Sequence, residues 1–340
     1  VKTFASDNYA GIHPQVLAAI ADVNIGHAVA YGEDDTTEQL AVKIKEHFGA
    51  QATVFPMFNG TGSNVVALQA MTKSWEAVIC ASSAHVNADE GGAPEKVAGL
   101  KLWLVESTNG KLTPALIDQQ AWGFGFEHRA QPAVVTITQT TEYGTCYTPD
   151  EVRAITKHAH DLGLLVHLDG ARIANAAAHL NLPMRAFTTD VGVDAVSFGG
   201  TKNGAMGAEA VVILNPDLAA ALPYLRKTAM QLASKMRFIS AQLLALLTDD
   251  LWLRNAQHAN AMAQMLADGV ADIPGVTITQ PVQANAVFAT MPHEAIERAQ
   301  QSYRFYVWDH TKNEVRWMCA WDTTPTDVQA FVDSLHKAVS

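Results

Sequence analysis

Three segments of this chain carry residue types that do chemistry, and each follows a short apolar run. In Val196-Ser197-Phe198-Gly199-Gly200-Thr201-Lys202-Asn203-Gly204-Ala205 a lysine stands among glycines and small residues. A tight loop between buried strands desolvates such an amine or gives it a cationic neighbour. Either effect lowers its pKa, as formation of a Schiff base requires. In Leu164-Leu165-Val166-His167-Leu168-Asp169-Gly170-Ala171-Arg172 an apolar run ends in a carboxylate, and Gly170 permits a sharp exit. A buried carboxylate needs a cationic partner, either Arg172 or a positively charged ligand atom. The third segment, Phe58-Asn59-Gly60-Thr61-Gly62-Ser63-Asn64, opens the helical run NVVALQAM. Small residues at a helix N-terminus let backbone N–H groups approach an anion. The segment lacks the Gly-Lys-Ser/Thr of a nucleotide phosphate loop and the third glycine of GxGxxG, so alone it also suits an ordinary strand-to-helix turn. Together, an anion cradle, an acid at a strand end and a sequestered lysine match the needs of pyridoxal phosphate: a phosphate site, a pyridinium partner and an aldehyde trap.

The elements that position these segments alternate. Strand-like runs at Thr53–Phe58, Ala77–Ala81, Lys101–Val105, Ala133–Thr138, Leu164–Asp169, Ala195–Phe198 and Ala210–Leu214 are separated by amphipathic stretches. Several runs are continuously apolar, which suits strands covered on both faces by helices. Thr148-Pro149-Asp150-Glu151 is a capping box with proline at the first helical position, Thr36 to Gln39 makes another, and Thr324-Pro325-Thr326-Asp327 opens a terminal helix. The pattern predicts an α/β layer with a mostly parallel seven-stranded sheet between helices. After Pro216 the texture changes to a long helix over Leu218–Leu247, a second over Leu251–Val270, and four short strands at Val276–Thr279, Val287–Met291, Phe305–Asp309 and Val315–Ala320. These form a smaller α+β unit. The expected division is an N-terminal arm and large cofactor domain over residues 1–240 and a small C-terminal domain over 241–340.

Composition narrows the partners. The chain has 340 residues, 49% hydrophobic and 17% charged, with a formal charge of −11. A negative field without a basic run argues against nucleic acid and anionic membrane surfaces as partners. No apolar stretch approaches a membrane span, and no apolar leader is visible near the first residues. Three cysteines without CxxC spacing support neither a disulfide framework nor a zinc site, so a reducing, cytoplasmic setting and no metal are expected.

The segments FASDNYAGIHP, AYGEDD, FNGTGSN, SSAHVNADEGGAPE, NGKLTP, HLDGARIANA and SFGGTKNGA, in this order, resemble the L-threonine aldolase family. Within it the chain looks like a low-specificity or phenylserine-aldolase-like subgroup. The likeness runs from residue 4 to about 215, and SKMRFIS and NEVRWMCAWD extend it to the C-terminus. The resemblance implies a fold-type-I pyridoxal-phosphate enzyme related to the aspartate aminotransferases, assembled as a homotetramer (a dimer of dimers) with active sites at the dimer interface. It assigns Lys202 to the Schiff base, Asp169 to the pyridine nitrogen, Gly60 and Thr61 to the phosphate, and His85 to the face of the cofactor ring. It also assigns Arg172 and Arg316 to the substrate carboxylate, with Ser6 adding a hydroxyl, and puts Arg237 near the phosphate, across the interface. His128 aligns with a second family histidine only by its spacing to the following strand. Where many relatives have Glu-Asn-Thr-His, this chain has Gln139-Thr140-Thr141-Glu142.

The implied reaction is aldol cleavage of L-threonine, L-allo-threonine or related β-hydroxy-α-amino acids to glycine and an aldehyde. β-Elimination or transamination with the same cofactor is the alternative, distinguished by a ketoacid and ammonia among the products. A base must take the β-hydroxyl proton; His85 is the first candidate and His128, through water, the second, because imidazole titrates near neutral pH.

Overall fold

The structure is a computed structural model that describes residues 3 to 340. Its main sheet has seven strands: β1 (Thr53–Met57), β2 (Glu76–Ala81), β3 (Lys101–Val105), β4 (Gln131–Thr138), β5 (Leu165–Gly170), β6 (Ala195–Gly199) and β7 (Glu209–Ile213). The order is β1-β7-β6-β5-β4-β2-β3. β7 runs antiparallel to both of its neighbours, and the other pairings are parallel. The strands of the sequence reading are all present within a residue or two. β6 and β7 are buried at every position, as apolar strands covered on both faces must be.

A second sheet, β8 (Thr277–Ile278), β9 (Ala286–Thr290), β10 (Tyr306–Asp309) and β11 (Glu314–Met318), is antiparallel in the order β10-β11-β9-β8. It has its own core of Val287, Trp317, Phe331 and Leu335, and Phe4 of the N-terminal arm belongs to that core. The Phe4 ring stacks on Phe331 with centroids 4.2 Å apart, and the Phe4 carbonyl accepts from the Met318 amide at 2.8 Å. Burying this ring contributes roughly 1.5–3 kcal/mol, and it anchors the arm that carries Ser6 and Asp7. The boundary expected at residue 240 falls inside the helix Arg237–Leu247, whose buried leucines join the large core. The helix Leu251–Val270 spans both cores, with Trp252 and Ala256 in the large one and Met262 and Leu266 in the small one.

Two local expectations are corrected. The single helix over Leu218–Leu247 is instead a 3-10 turn (Pro216–Ala221), a short helix (Leu222–Thr228) and the helix Arg237–Leu247. Pro223 removes a helical donor, and Met230 sits at φ 61°, outside helical space. The irregular stretch brings Gln231 to β1, where its Oε1 accepts from the Phe58 amide at 3.0 Å. The helix read as opening at Thr36 begins at Asp35, because Asp34 is the N-cap and accepts from the Thr37 amide at 2.9 Å. The capping boxes at Thr148 and Thr324 form. No helix among the described residues is long and apolar enough to cross a membrane, and the three cysteines are free and buried.

Candidate active site

The three chemical segments meet where they leave the sheet, at the C-terminal ends of β1, β5 and β6. Gly199 makes that convergence possible. A Cβ there would lie 2.5 Å from the Ala171 carbonyl oxygen, so only glycine lets the β5 and β6 exits pack together. Their side chains, Arg172 and Lys202, therefore enter one cleft.

The anion cradle lies at the N-terminus of the helix Gly60–Ala70. Asn59 caps it, its Oδ1 accepting from the Gly62 amide at 2.7 Å and its carbonyl from the Ser63 amide at 3.1 Å. Among the described residues nothing accepts from the Gly60 and Thr61 amides, and a Cβ at Gly60 would point into open space. A cavity of about 390 Å³ opens there, with Thr201, Lys202 and Glu209 on its far wall. Burial pushes the Glu209 carboxyl up to about 7, although it accepts from the Thr201 amide.

Asp169 sits deeper, almost fully buried. It is not the partner of Arg172: its oxygens accept from Asn64 Nδ2 at 2.9 Å and from the Ala171 amide at 3.0 Å. Asn64 also donates to Glu90 Oε1 at 2.8 Å, and the same oxygen lies 2.9 Å from His85 Nδ1. That hydrogen bond raises the His85 pKa against the effect of its partial burial. Glu90 is itself pushed up by burial, which its two partners only partly offset. The narrow slot above Asp169 is walled by His85, Ala171, Thr140 and Glu142.

The widest part of the cleft, about 580 Å³, is lined by Ser6, Asp89, Tyr306 and Trp308 as well as the charged groups. Arg172 Nε and Nη2 donate to Asp7 Oδ2 and Oδ1 at 2.7 and 2.9 Å, and Asn285 Nδ2 donates to Asp7 Oδ2 at 3.0 Å. Burial alone would raise the Asp7 carboxyl, but the Arg172 guanidinium holds it below the usual carboxylate range. Arg316 lies over the Trp308 ring at 4.9 Å, and its buried Nε has no hydrogen-bond partner. Burial and the nearby Arg172 bring its pKa down to about 10. Burial and Arg172 likewise lower the Lys202 amine.

Lys202 and His85 line all three cavities, so cradle, slot and wide cleft are one continuous space. Its donor set fits pyridoxal phosphate. The free Gly60 and Thr61 amides suit a phosphate, the Asp169 carboxylate a protonated ring nitrogen, and the depressed Lys202 amine an aldehyde carbon. Ser6, Gly60, Thr61, His85, Asp169, Arg172, Lys202 and Arg316 all reach this space. Two expected residues do not. His128 is exposed, edge-on to the Phe126 ring and 3.9 Å from Glu127. Arg237 donates to the Ile25 carbonyl at 3.3 Å, outside the three cavities.

The sequence reading missed Asp7, Asn64, Glu90, Glu142, Glu209 and Gln231. Asp7, Asn64, Glu90 and Glu142 all fall inside quoted segments, where nothing in the local sequence marked them as buried. Gln231 had no signal, since its role depends on a break in a segment that reads as helix.

Comparison with known proteins adds to this geometry. Residues 3–294 match the family model described as beta-eliminating lyase. The chain is 47% identical to a low specificity L-threonine aldolase of Pseudomonas aeruginosa, over 95% of this chain and 93% of that protein. It is 45% identical to a protein of the same name from a Pseudomonas species, over 100% of this chain and 98% of the relative. In structure it is similar to a threonine aldolase of Leishmania major, with a TM-score of 0.94 at 29% identity and full coverage of both chains.

Proposed function

The chain belongs to the low-specificity L-threonine aldolase family of carbon–carbon lyases, and from that premise we propose how its cleft carries out the cleavage. The reaction splits L-threonine, L-allo-threonine or a related β-hydroxy-α-amino acid into glycine and an aldehyde. The observation that carries the proposal is the convergence of Lys202, Asp169 and the open cradle at Gly60 and Thr61 in one cleft with two arginines.

Pyridoxal phosphate, when bound, supplies the aldehyde that captures the substrate amine and the electron-poor ring that accepts the bonding pair of Cα. Lys202 is the amine that holds the cofactor, and Asp169 keeps a proton on the ring nitrogen. Gly60 and Thr61 donate to the phosphate. Arg172 and Arg316, with Ser6 beside them, orient the substrate carboxylate. A planar guanidinium suits a carboxylate, and Asp7 occupies only the Nε–Nη2 edge of Arg172, which leaves Nη1 for the ligand. Fixing the carboxylate would limit rotation of the substrate in the cleft, and this restraint would favour cleavage of Cα–Cβ over the other Cα bonds. His85, whose Nδ1 is held by Glu90, donates to the β-hydroxyl and orients it.

The active unit is a dimer within a homotetramer, with Arg237 reaching the phosphate of the neighbouring site. Ile25, whose carbonyl accepts from Arg237, is exposed, and so are Tyr31 and Met230, apolar side chains suited to burial against a second copy. Three unpaired cysteines suit a reducing, cytoplasmic compartment. Incubation of the loaded protein with L-threonine, L-allo-threonine and phenylserine tests the function. Glycine plus the matching aldehyde is expected; a ketoacid with ammonia would overturn the proposal in favour of elimination.

A further inference from the structure

The segment that leaves β4 ends in a carboxylate that the reaction as described does not use. Glu142 stands on the wall shared by the slot above Asp169 and the wide cleft, so it borders both the ring position and the substrate position. Its Oε1 accepts from the His85 backbone amide at 2.9 Å, which fixes the carboxyl against the helix that carries His85. Its Oε2 is buried and has no hydrogen-bond partner. A buried acceptor is seldom left unpaired, because it forfeits the hydrogen bond it had in water. We propose that Glu142 takes the proton of the substrate β-hydroxyl through this unpartnered oxygen, and is the catalytic base of the cleavage. This rests on the aldolase reading given above.

Two further observations support the assignment. His85 is poorly suited to be the acceptor, since Glu90 holds its Nδ1 and favours the protonated ring. Burial raises the Glu142 carboxyl to about 7, and the nearby Asp169 charge adds to the shift, while the amide hydrogen bonds and the Thr138 hydroxyl oppose it. A carboxyl in that range is matched to accepting a proton near neutrality. Of the other charged and titratable groups around it, Arg172 lowers the cost of its charge, Lys202, Arg316, Asp89 and Glu90 line the same two cavities, and the buried Cys80 and Tyr147 stay protonated. In the step, the hydroxyl proton moves to Glu142, the O–H pair becomes the second bond of the aldehyde C=O, and Cα–Cβ breaks with its pair retained at Cα. The proton balance closes when Cα is protonated to give glycine.

The test compares wild type, Glu142→Gln and Glu142→Asp as loaded enzymes, and wild type with Glu142→Gln as cofactor-free protein. Removing a general base typically slows the step about 10²–10⁴-fold, and a loss in that range is expected for cleavage by Glu142→Gln. Exchange of the glycine α-proton with deuterated water needs no β-hydroxyl base and is expected to stay within a few-fold of wild type. The acid limb of kcat/KM near neutrality disappears in Glu142→Gln, and Glu142→Asp retains it at reduced rate. In the cofactor-free protein, a raised carboxyl pKa means the folded state binds more protons than the unfolded one between about pH 4.5 and pH 7. Wild-type stability therefore falls with pH through that window relative to Glu142→Gln. Near-normal cleavage by Glu142→Gln, an unchanged acid limb, or equal loss of exchange and cleavage would overturn the assignment. Absence of glycine from the wild-type reaction would instead sink the aldolase reading, and it would leave the stability comparison standing.

Discussion

Asp7 grips Arg172 along one edge of the guanidinium, through Nε and Nη2, while Arg172 lines the cleft. The two residues are 165 positions apart and belong to different parts of the fold. Asp7 lies on the arm anchored by Phe4 in the small core, and Arg172 follows β5 of the large sheet. Asn285, just before β9, donates to the same carboxylate. One buried acid thus ties the arm and both sheets to the guanidinium proposed to orient the substrate. Its burial makes the pair strong and also costly to break, because either partner alone is a desolvated charge.

Asp7→Ala should destabilise the protein by about 3–5 kcal/mol, the range for removing one member of a buried pair. Urea unfolding followed by fluorescence reads the shift. The pH dependence has a definite sign. The folded Asp7 pKa lies below the ordinary carboxylate value of 3.8, so its stabilisation is complete above that pH and is lost as pH falls through the lower folded value. The gap between wild type and Asp7→Ala should therefore narrow in acid and be constant from about pH 5 upward. A gap that widens in acid would show that Asp7 acts otherwise.

Lys202→Ala should abolish both the visible absorbance of the loaded protein and its cleavage activity. Lys202 is the sole amine lining the cradle, slot and wide cleft among the described residues, so no neighbour replaces it. The readout is an absorbance spectrum after incubation with pyridoxal phosphate and removal of the excess. Retention of the band together with turnover would remove Lys202 from the mechanism.

The strands and the cleft's main ligands were legible because they depend on local sequence. An apolar run followed by Asp-Gly or Gly-Gly marks a strand end, and a strand end is where an α/β sheet places its ligands. Asp7–Arg172 was not legible, since a pairing 165 residues apart leaves no periodicity, and Arg172 beside Asp169 suggested the nearer partner. Glu90 and Glu142 were hidden for a related reason. A carboxylate in a polar loop reads as solvated until the fold shows how deeply it is buried. The break at Pro223 and Met230 depended on tertiary packing, because Gln231 is drawn to the Phe58 amide.

Arg316→Lys should raise KM for the amino acid about 10-fold to 100-fold with a smaller change in kcat, as expected when a charge-assisted hydrogen bond of about 1.5–3 kcal/mol is lost from ground and transition state alike. Arg316 presents an unpartnered buried Nε and is held between the Tyr306 and Trp308 rings. Lysine keeps the charge but loses the fork and the stacking. Steady-state kinetics on threonine checks the split. A fall in kcat with KM unchanged would assign Arg316 to the chemical step.

The placement of Arg237 makes a sharper prediction about assembly. Within one chain it lies outside the three cavities, bound to the Ile25 carbonyl beside exposed apolar residues. If it serves the neighbouring site, Lys202→Ala and Arg237→Ala subunits complement each other. In a hybrid dimer, one site lacks both residues and the other has its own Lys202 and the partner's Arg237. Random pairing makes half the dimers hybrid, so about one quarter of all sites are intact. Co-expressed subunits should then recover about a quarter of wild-type activity, with each variant alone far below that. If Arg237 served its own site, every hybrid site would carry one lesion and co-expression would restore nothing. The two arrangements differ by the presence or absence of activity, which a single assay of the co-expressed mixture resolves.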